Sequence, residues 1–326
     1  MKRIITGILL SFVSLYVYGK YVPALPKEDK ARIKEAMLIN EKYGDRIWKG
    51  ISTTGFSLIL VTDSIEYLLF HPYPTPDFEW LEEDKDLGTK IYWRKRQFAT
   101  GLLATFPAVA GVNCMVVGTP ANTGKNTTEW IIALLHEHFH QYVYSRPGYY
   151  EAVKGLDLSG GDETGRWMLN YPFPYTNDKV IKQYEKYTTA LKDAVENESP
   201  RQYIRERKKF TASLRSPDYR YFSFQLWQEG IARYTEYKFL ELMKDYVPGP
   251  VIRAMPDFIA FEAYKSSLYT NELTALKTVK LSGGKRVCFY SAGFAEGLLL
   301  DRLNPAWREL YLADRFFLEK YLPAYK

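Results

Sequence analysis

The chain changes character at Pro120, and that switch limits the folds open to it. Before it lie short apolar runs rich in β-branched and aromatic residues, cut by turn signals. "GFSLILVTDSIEYLLFHPYP" (55–74) holds two such runs around Asp63-Ser64, the pattern of a hairpin. "TKIYWRKRQF" and "AGVNCMVVGTP" read as two further strands. A preceding stretch, 27–50, has the spacing of an amphipathic helix that ends at or soon after Gly44. After Pro120 the helical period takes over, at 127–145, 178–196, 200–214, 218–246, 257–272, 290–303 and 306–321. A sheet followed by helices predicts an α+β fold with a mostly antiparallel sheet at 50–120. Residues 20–120 and 121–326 are expected to form one unit. Between the first two helices of the second half lies a long Gly-, Tyr- and Pro-rich segment, 146–178, of the length that usually serves function or stays disordered. Its "NYPFPYTND" either lines a cleft with aromatic rings or packs as a structural loop.

"TEWIIALLHEHFHQYVYS" (128–145) carries three of the four histidines. Asn126 and Glu129 supply a capping-box start, and no Gly or Pro interrupts the run to Ser145. Ile131, Leu135, His138 and Tyr142 share one face; Ile132, His136, His140 and Val143 share the opposite one. A helix apolar on both sides belongs in the interior. His136 and His140, one turn apart, project together and can grip one metal ion. Glu137 points beside that ion, where a general base for an attacking water belongs. His138 faces the core, and His71 reads as a strand-end residue. Buried polar groups of this kind are costly without a partner, and a zinc ion supplies one; the competing reading is a buried polar cluster satisfied by internal hydrogen bonds.

A catalytic zinc takes three protein ligands. Two stretches compete for the third: "SGGDETGRW", with Asp162 and Glu163, and "LWQEGIARYTEYKF", with Glu229, Arg233 and Glu236 on one stripe. Glu229 is favoured, because a helix holds a ligand more rigidly than a glycine-rich loop. Gly230 beside it is expected to let that helix approach the histidine helix. The competing reading of the stripe is a surface Arg233–Glu236 pair.

"HEHFHQ" followed by "LWQEGIARYTE" resembles the gluzincins, the thermolysin-like and aminopeptidase-like zinc peptidases. The resemblance implies a zincin-like fold, zinc held by His136, His140 and Glu229, and Glu137 as general base. "CFYSAGFAEGLLL" is similar to the aminopeptidase segment Y-x-K-G-x-A, which maps a transition-state tyrosine to Tyr290, with Gly293 and Ala295 as matched neighbours. The chain departs from the pattern in three places. The interval from His140 to Glu229 is long, Ala292 stands where the lysine would be, and "GVNCMVVGTP" lacks the acid that holds a free amino terminus. A peptidase other than a typical aminopeptidase is therefore expected. Its peptide or protein substrate would pair along an open edge of the strand at 112–118.

"MKRIITGILLSFVSLYVYGK" has the layout of a secretory signal peptide over 1–19, which places the rest outside the cytoplasm, periplasmic or secreted, with no lasting membrane span. Without Lys2 and Arg3 the 44 basic residues fall to 42 against 38 acidic, a net charge of +4, too mild and too evenly spread for nucleic-acid binding. Cys114 and Cys288 would either pair in that compartment or stay as two buried thiols. Two other classes compete with an enzyme: a zincin-like protein that no longer catalyses, and a metal-free protein whose tyrosine-rich cleft binds peptide or glycan. Retention of both Glu137 and Tyr290 speaks against the first.

Overall fold

The computed structural model describes residues 24–197 and 199–323; the expected signal segment lies outside them. The chain opens with α1 (Lys27–Ile47) and then builds six strands: β1 (Leu58–Val61), β2 (Ile65–Leu69), β3 (Glu79–Asp84), β4 (Thr89–Lys95), β5 (Leu103–Val109) and β6 (Val112–Gly118). They form one sheet in the order β3-β4-β2-β1-β6-β5. Only the β1–β6 pairing is parallel; the rest are antiparallel. The architecture is α+β, a mixed sheet followed by a helical half.

The sheet is buried on both faces near its centre. Leu58, Leu60, Met115 and Val117 point into the main core with the helices. Their neighbours Ile59, Val61, Cys114 and Val116 form a second apolar layer on the other face. This is why β1 reads as a continuous apolar run rather than an alternating one. The hairpin around Asp63-Ser64 forms as expected, with Leu58 opposite Leu69 and Val61 opposite Glu66.

Two strands were not foreseen. β3 is acidic, and Lys30 of α1 pairs with its Glu82 and Asp84. β5 contains Pro107, which reads as a breaker in sequence but suits an edge strand with a register shift beside it. β5 also corrects the expectation of an open edge at 112–118. β6 is paired on both sides, by β1 and β5, so the free edge on this flank belongs to β5.

The helical half comprises α2 (Pro120–Thr123), α3 (Thr127–Tyr144), α4 (Tyr149–Lys154), α5 (Trp167–Asn170), α6 (Asp178–Asn197), α7 (Pro200–Ala212), α8 (Ser216–Gln225), α9 (Ile231–Leu242), α10 (Pro250–Arg253), α11 (Phe261–Thr278), α12 (Leu281–Gly284), α13 (Cys288–Leu303) and α14 (Trp307–Leu310). α3 is the central helix. It packs on β5 and β6 on one side and on α1 and α9 on the other. Its capping box is formed: the Asn126 side chain accepts from Glu129 N, and Glu129 accepts from Asn126 N.

Two helix expectations need correction. The run 218–246 is not one α-helix: a π-turn, Leu226–Gly230, joins α8 to α9. The run 306–321 is only α14 and a 3-10 turn, Leu318–Tyr321, because the chain bends to bury Trp307, Tyr311 and Tyr321 together. Cys114 and Cys288 are free, buried thiols in the two separate apolar layers.

Candidate metal centre

α3 carries His136, Glu137 and His140 into the interior beneath β5; each is less than 8% exposed. Three ligand atoms converge there. His140 Nε2 lies 3.1 Å from His136 Nε2, and Glu229 Oε2 lies 3.6 Å from the first and 3.8 Å from the second. The donor set can hold a metal ion. A tetrahedral ion with bonds of about 2.0–2.1 Å holds its ligand atoms about 3.4 Å apart, and the observed triangle brackets that separation.

Glu229 sits within the π-turn, where one additional residue per turn redirects the side chains that follow. Burial raises its carboxyl, but the imidazoles of His140 and His136 outweigh that effect and hold it well below the usual carboxylate range. Burial works against a charged His136; the carboxylates of Glu229 and Glu236 prevail and push it up to about 10.

A second carboxylate stands behind the first histidine. Glu236 Oε1 is 2.6 Å from His136 Nδ1, and its other oxygen accepts from Arg233 Nη1 at 2.8 Å. Arg233 continues to Glu272 at 3.3 Å, and Ser291 donates to Glu272 at 2.5 Å. The stripe Glu229–Arg233–Glu236 is thus an interior relay and not a surface pair; Glu236 is 3% exposed. The sequence did carry a signal for it, since Glu236 follows Glu229 by seven residues, two turns along one face.

The remaining walls are aromatic. The Tyr144 ring stacks on His140, with centroids 5.6 Å apart. Gln228 donates to Tyr144 Oη at 3.0 Å and accepts from Tyr149, which fixes the residue before Glu229. Tyr290, near the start of α13, lies nearly parallel to His136 at 8° with centroids 6.5 Å apart. Burial, and then the neighbouring Glu229 carboxylate, raise its hydroxyl well above the ordinary tyrosine range, so it is an O–H donor. Arg286, one turn earlier, donates to Tyr290 Oη at 2.8 Å.

Glu137 points to the sheet. Thr105 of the edge strand β5 lies 2.8 Å from Glu137 Oε2 and 2.9 Å from Glu137 O. No local pattern in the sequence announces this contact, because it joins positions 32 residues apart.

No protein-family model, curated protein or solved structure matches the chain.

The other sequence candidates fall elsewhere. His138 faces away, between Asn40 and Gln141. His71 ties a strand end, with Nε2 3.2 Å from Val109 O. Asp162 accepts from Thr164 N and Trp167 N within its own loop, and Glu163 is exposed. Gly230 does not set the approach to α3. It meets Gly293 of α13 instead. "NYPFPYTND" packs by its rings: Phe173 is 4% exposed, and Tyr171 stacks on Tyr221 of α8 at 4.4 Å.

Such an arrangement brings together a triangle of donor atoms that could hold a metal ion, a carboxylate on the histidine helix hydrogen-bonded to Thr105, and a phenol that faces His136.

Proposed function

We propose that the chain is a zinc-dependent peptidase of the gluzincin type, working outside the cytoplasm. The observation that carries the reading is the triangle of His136, His140 and Glu229, with Glu137 held beside it by Thr105. The donor geometry agrees. Two imidazole nitrogens 3.1 Å apart stand 3.8 and 3.6 Å from one Glu229 oxygen, so all three can face a single divalent cation. Glu236 on His136 Nδ1 is the kind of outer carboxylate that orients a ligating histidine. Among the described residues no helix is long and apolar enough to cross a membrane.

Zinc bound there would supply Lewis acidity toward the water and the peptide carbonyl oxygen. The rest of the mechanism belongs to the chain. Glu137 takes a proton from the attacking water as the new C–O bond forms. The same carboxyl then passes the proton to the amide nitrogen as the C–N bond breaks. Tyr290 donates a hydrogen bond to the carbonyl oxygen as negative charge grows on it. A preference for free amino termini is not part of the proposal, because the stretch 111–118 carries no acid to hold one.

The test is elemental analysis of the purified chain together with a peptide-cleavage assay. The reading expects about one zinc per chain, lost in Glu229→Ala. It expects Glu137→Gln to keep the zinc and lose hydrolysis. A chain that takes up no zinc when zinc is supplied would overturn it.

A further inference from the structure

Arg286 is a partly buried cation at the candidate centre that makes no ion pair among the described residues, although, against the effect of burial, Tyr290 and the nearby Glu229 carboxylate push its pKa up. It lies on the short 3-10 turn Lys285–Val287 that leads into α13. Its guanidinium stands 5.7 Å from the centre of the Tyr290 ring and spends one N–H on Tyr290 Oη. Among the described residues no carboxylate lies within ion-pair distance of it, although Arg94, Arg207, Arg215 and Arg233 all have one. Tyr175 and Tyr221 lie close enough to sense its charge, and among the described residues its guanidinium makes no hydrogen bond other than the one to Tyr290. A half-desolvated guanidinium with free donors is disposed to take a carboxylate in the two-pronged geometry that arginine favours.

We infer that Arg286 recognises a carboxylate of the substrate, so that the preferred substrates are peptides with a free C-terminus or an acidic side chain close to the scissile bond. This rests on the peptidase reading. Tyr290 faces both His136 and Arg286, so the anion would lie within one or two residues of the cleaved bond, at roughly 3.4 Å per extended residue. Arg286 is then a specificity residue: the carboxylate it binds fixes which bond of the peptide meets the candidate centre.

The experiment uses the zinc-loaded full chain and a matched set of acetylated Phe/Ala peptides. Each is made with a C-terminal acid or amide, and with Glu or Gln one or two residues from the centre. Cleavage is read by mass spectrometry as kcat/KM, for the wild type, Arg286→Gln and Arg286→Lys. The wild type is expected to favour the carboxylate form of at least one pair by tenfold or more. Whether the acid/amide or the Glu/Gln pair shows it identifies the source of the anion. Arg286→Gln is expected to bring that ratio close to one, and Arg286→Lys to keep part of it. A general loss through Tyr290 would lower both members of a pair alike and leave the ratio unchanged. Equal cleavage of both forms by the wild type, or an unchanged ratio in Arg286→Gln, overturns the inference. If no peptide is cleaved, the peptidase reading fails. Calorimetric titration of zinc-loaded Glu137→Gln with the same acid and amide peptides then decides separately: tighter binding of the acids, abolished by Arg286→Gln, sustains carboxylate recognition, and equal binding ends it.

Discussion

Gly230 and Gly293 meet backbone to backbone where the π-turn crosses α13. A Cβ on Gly230 would stand 2.4 Å from Gly293 Cα, and one on Gly293 would stand 2.5 Å from the Leu226 carbonyl oxygen. Neither contact can be relieved by turning a side chain, since backbone stands on both sides. The two glycines therefore set how near Glu229, one residue before the first, comes to Tyr290, three residues before the second. Gly293→Ala is expected to push the helices apart, with a stability loss of about 1–3 kcal/mol or more, and to lower zinc occupancy. Gly283→Ala is the control, because its Cβ meets nothing within 4 Å. Thermal unfolding and zinc content of the two variants check this. A Gly293→Ala chain as stable and as zinc-loaded as the control would show that the crossing tolerates a methyl group.

The contact from Glu236 to His136 Nδ1 leads to a second expectation. Glu236→Gln keeps the shape and removes the charge that holds the imidazole in place. Arg233 keeps Glu272, so its guanidinium is not left without an acid. Zinc affinity, measured by competition with a chelator, is expected to fall about 10–100-fold, as for other outer partners of ligating histidines. Unchanged affinity would mean that Glu236 serves packing alone.

The sequence made the histidine helix legible almost whole. Its cap, its ends and the opposite directions of His136 and His138 all follow from 3.6-residue periodicity and short-range chemistry. The hairpin at Asp63-Ser64 was legible for the same reason. What escaped was set at long range. β5 hides behind Pro107, because only its edge position in the finished sheet makes that proline harmless. The π-turn at Glu229 depends on the crossing with α13, which no local pattern encodes. Arg233 and Glu236 read equally well as a surface pair until the burial of α9 against α3 and α13 decides. The polar strand β3 lacked the apolar run that marks a strand, because its partners are Lys30 and one neighbouring strand rather than a core.

Thr105 has one hydroxyl proton and two candidate acceptors on Glu137, the carboxylate and the backbone carbonyl. With the donation directed to the carboxylate, Thr105→Val removes the hydrogen bond that fixes its orientation. Zinc content should stay near that of the wild type, since Thr105 touches no ligand atom. The rate of peptide cleavage should fall, because the base is no longer held in one orientation toward the attacking water. An unchanged rate would assign the Thr105 proton to the backbone carbonyl instead.

His138 supplies a pH test that is separate from the metal. It is fully buried, with Nδ1 2.9 Å from Gln141 Oε1 and Nε2 3.1 Å from Asn40 Nδ2. Burial pushes its pKa below the ordinary 6.5. The folded chain thus keeps His138 neutral while the unfolded chain protonates it. Below about pH 6.5 the unfolded state binds more protons, so stability falls as pH falls, by at most about 1.4 kcal/mol per pH unit for one such group. Above that pH both states are neutral and the contribution is flat. His71, also pushed down by burial, acts in the same direction but is present in every variant compared. Proton competition at the candidate metal centre is likewise common to both chains. His138→Asn is therefore expected to be less stable than the wild type at pH 7.5, through lost packing. The difference should narrow between pH 6.5 and 5.5 as the wild type meets its protonation penalty and the variant does not. Urea unfolding at the three pH values measures it. A difference that stays constant would mean that His138 takes up its proton inside the fold, with the Ile51 carbonyl, 3.1 Å from Nε2, accepting it.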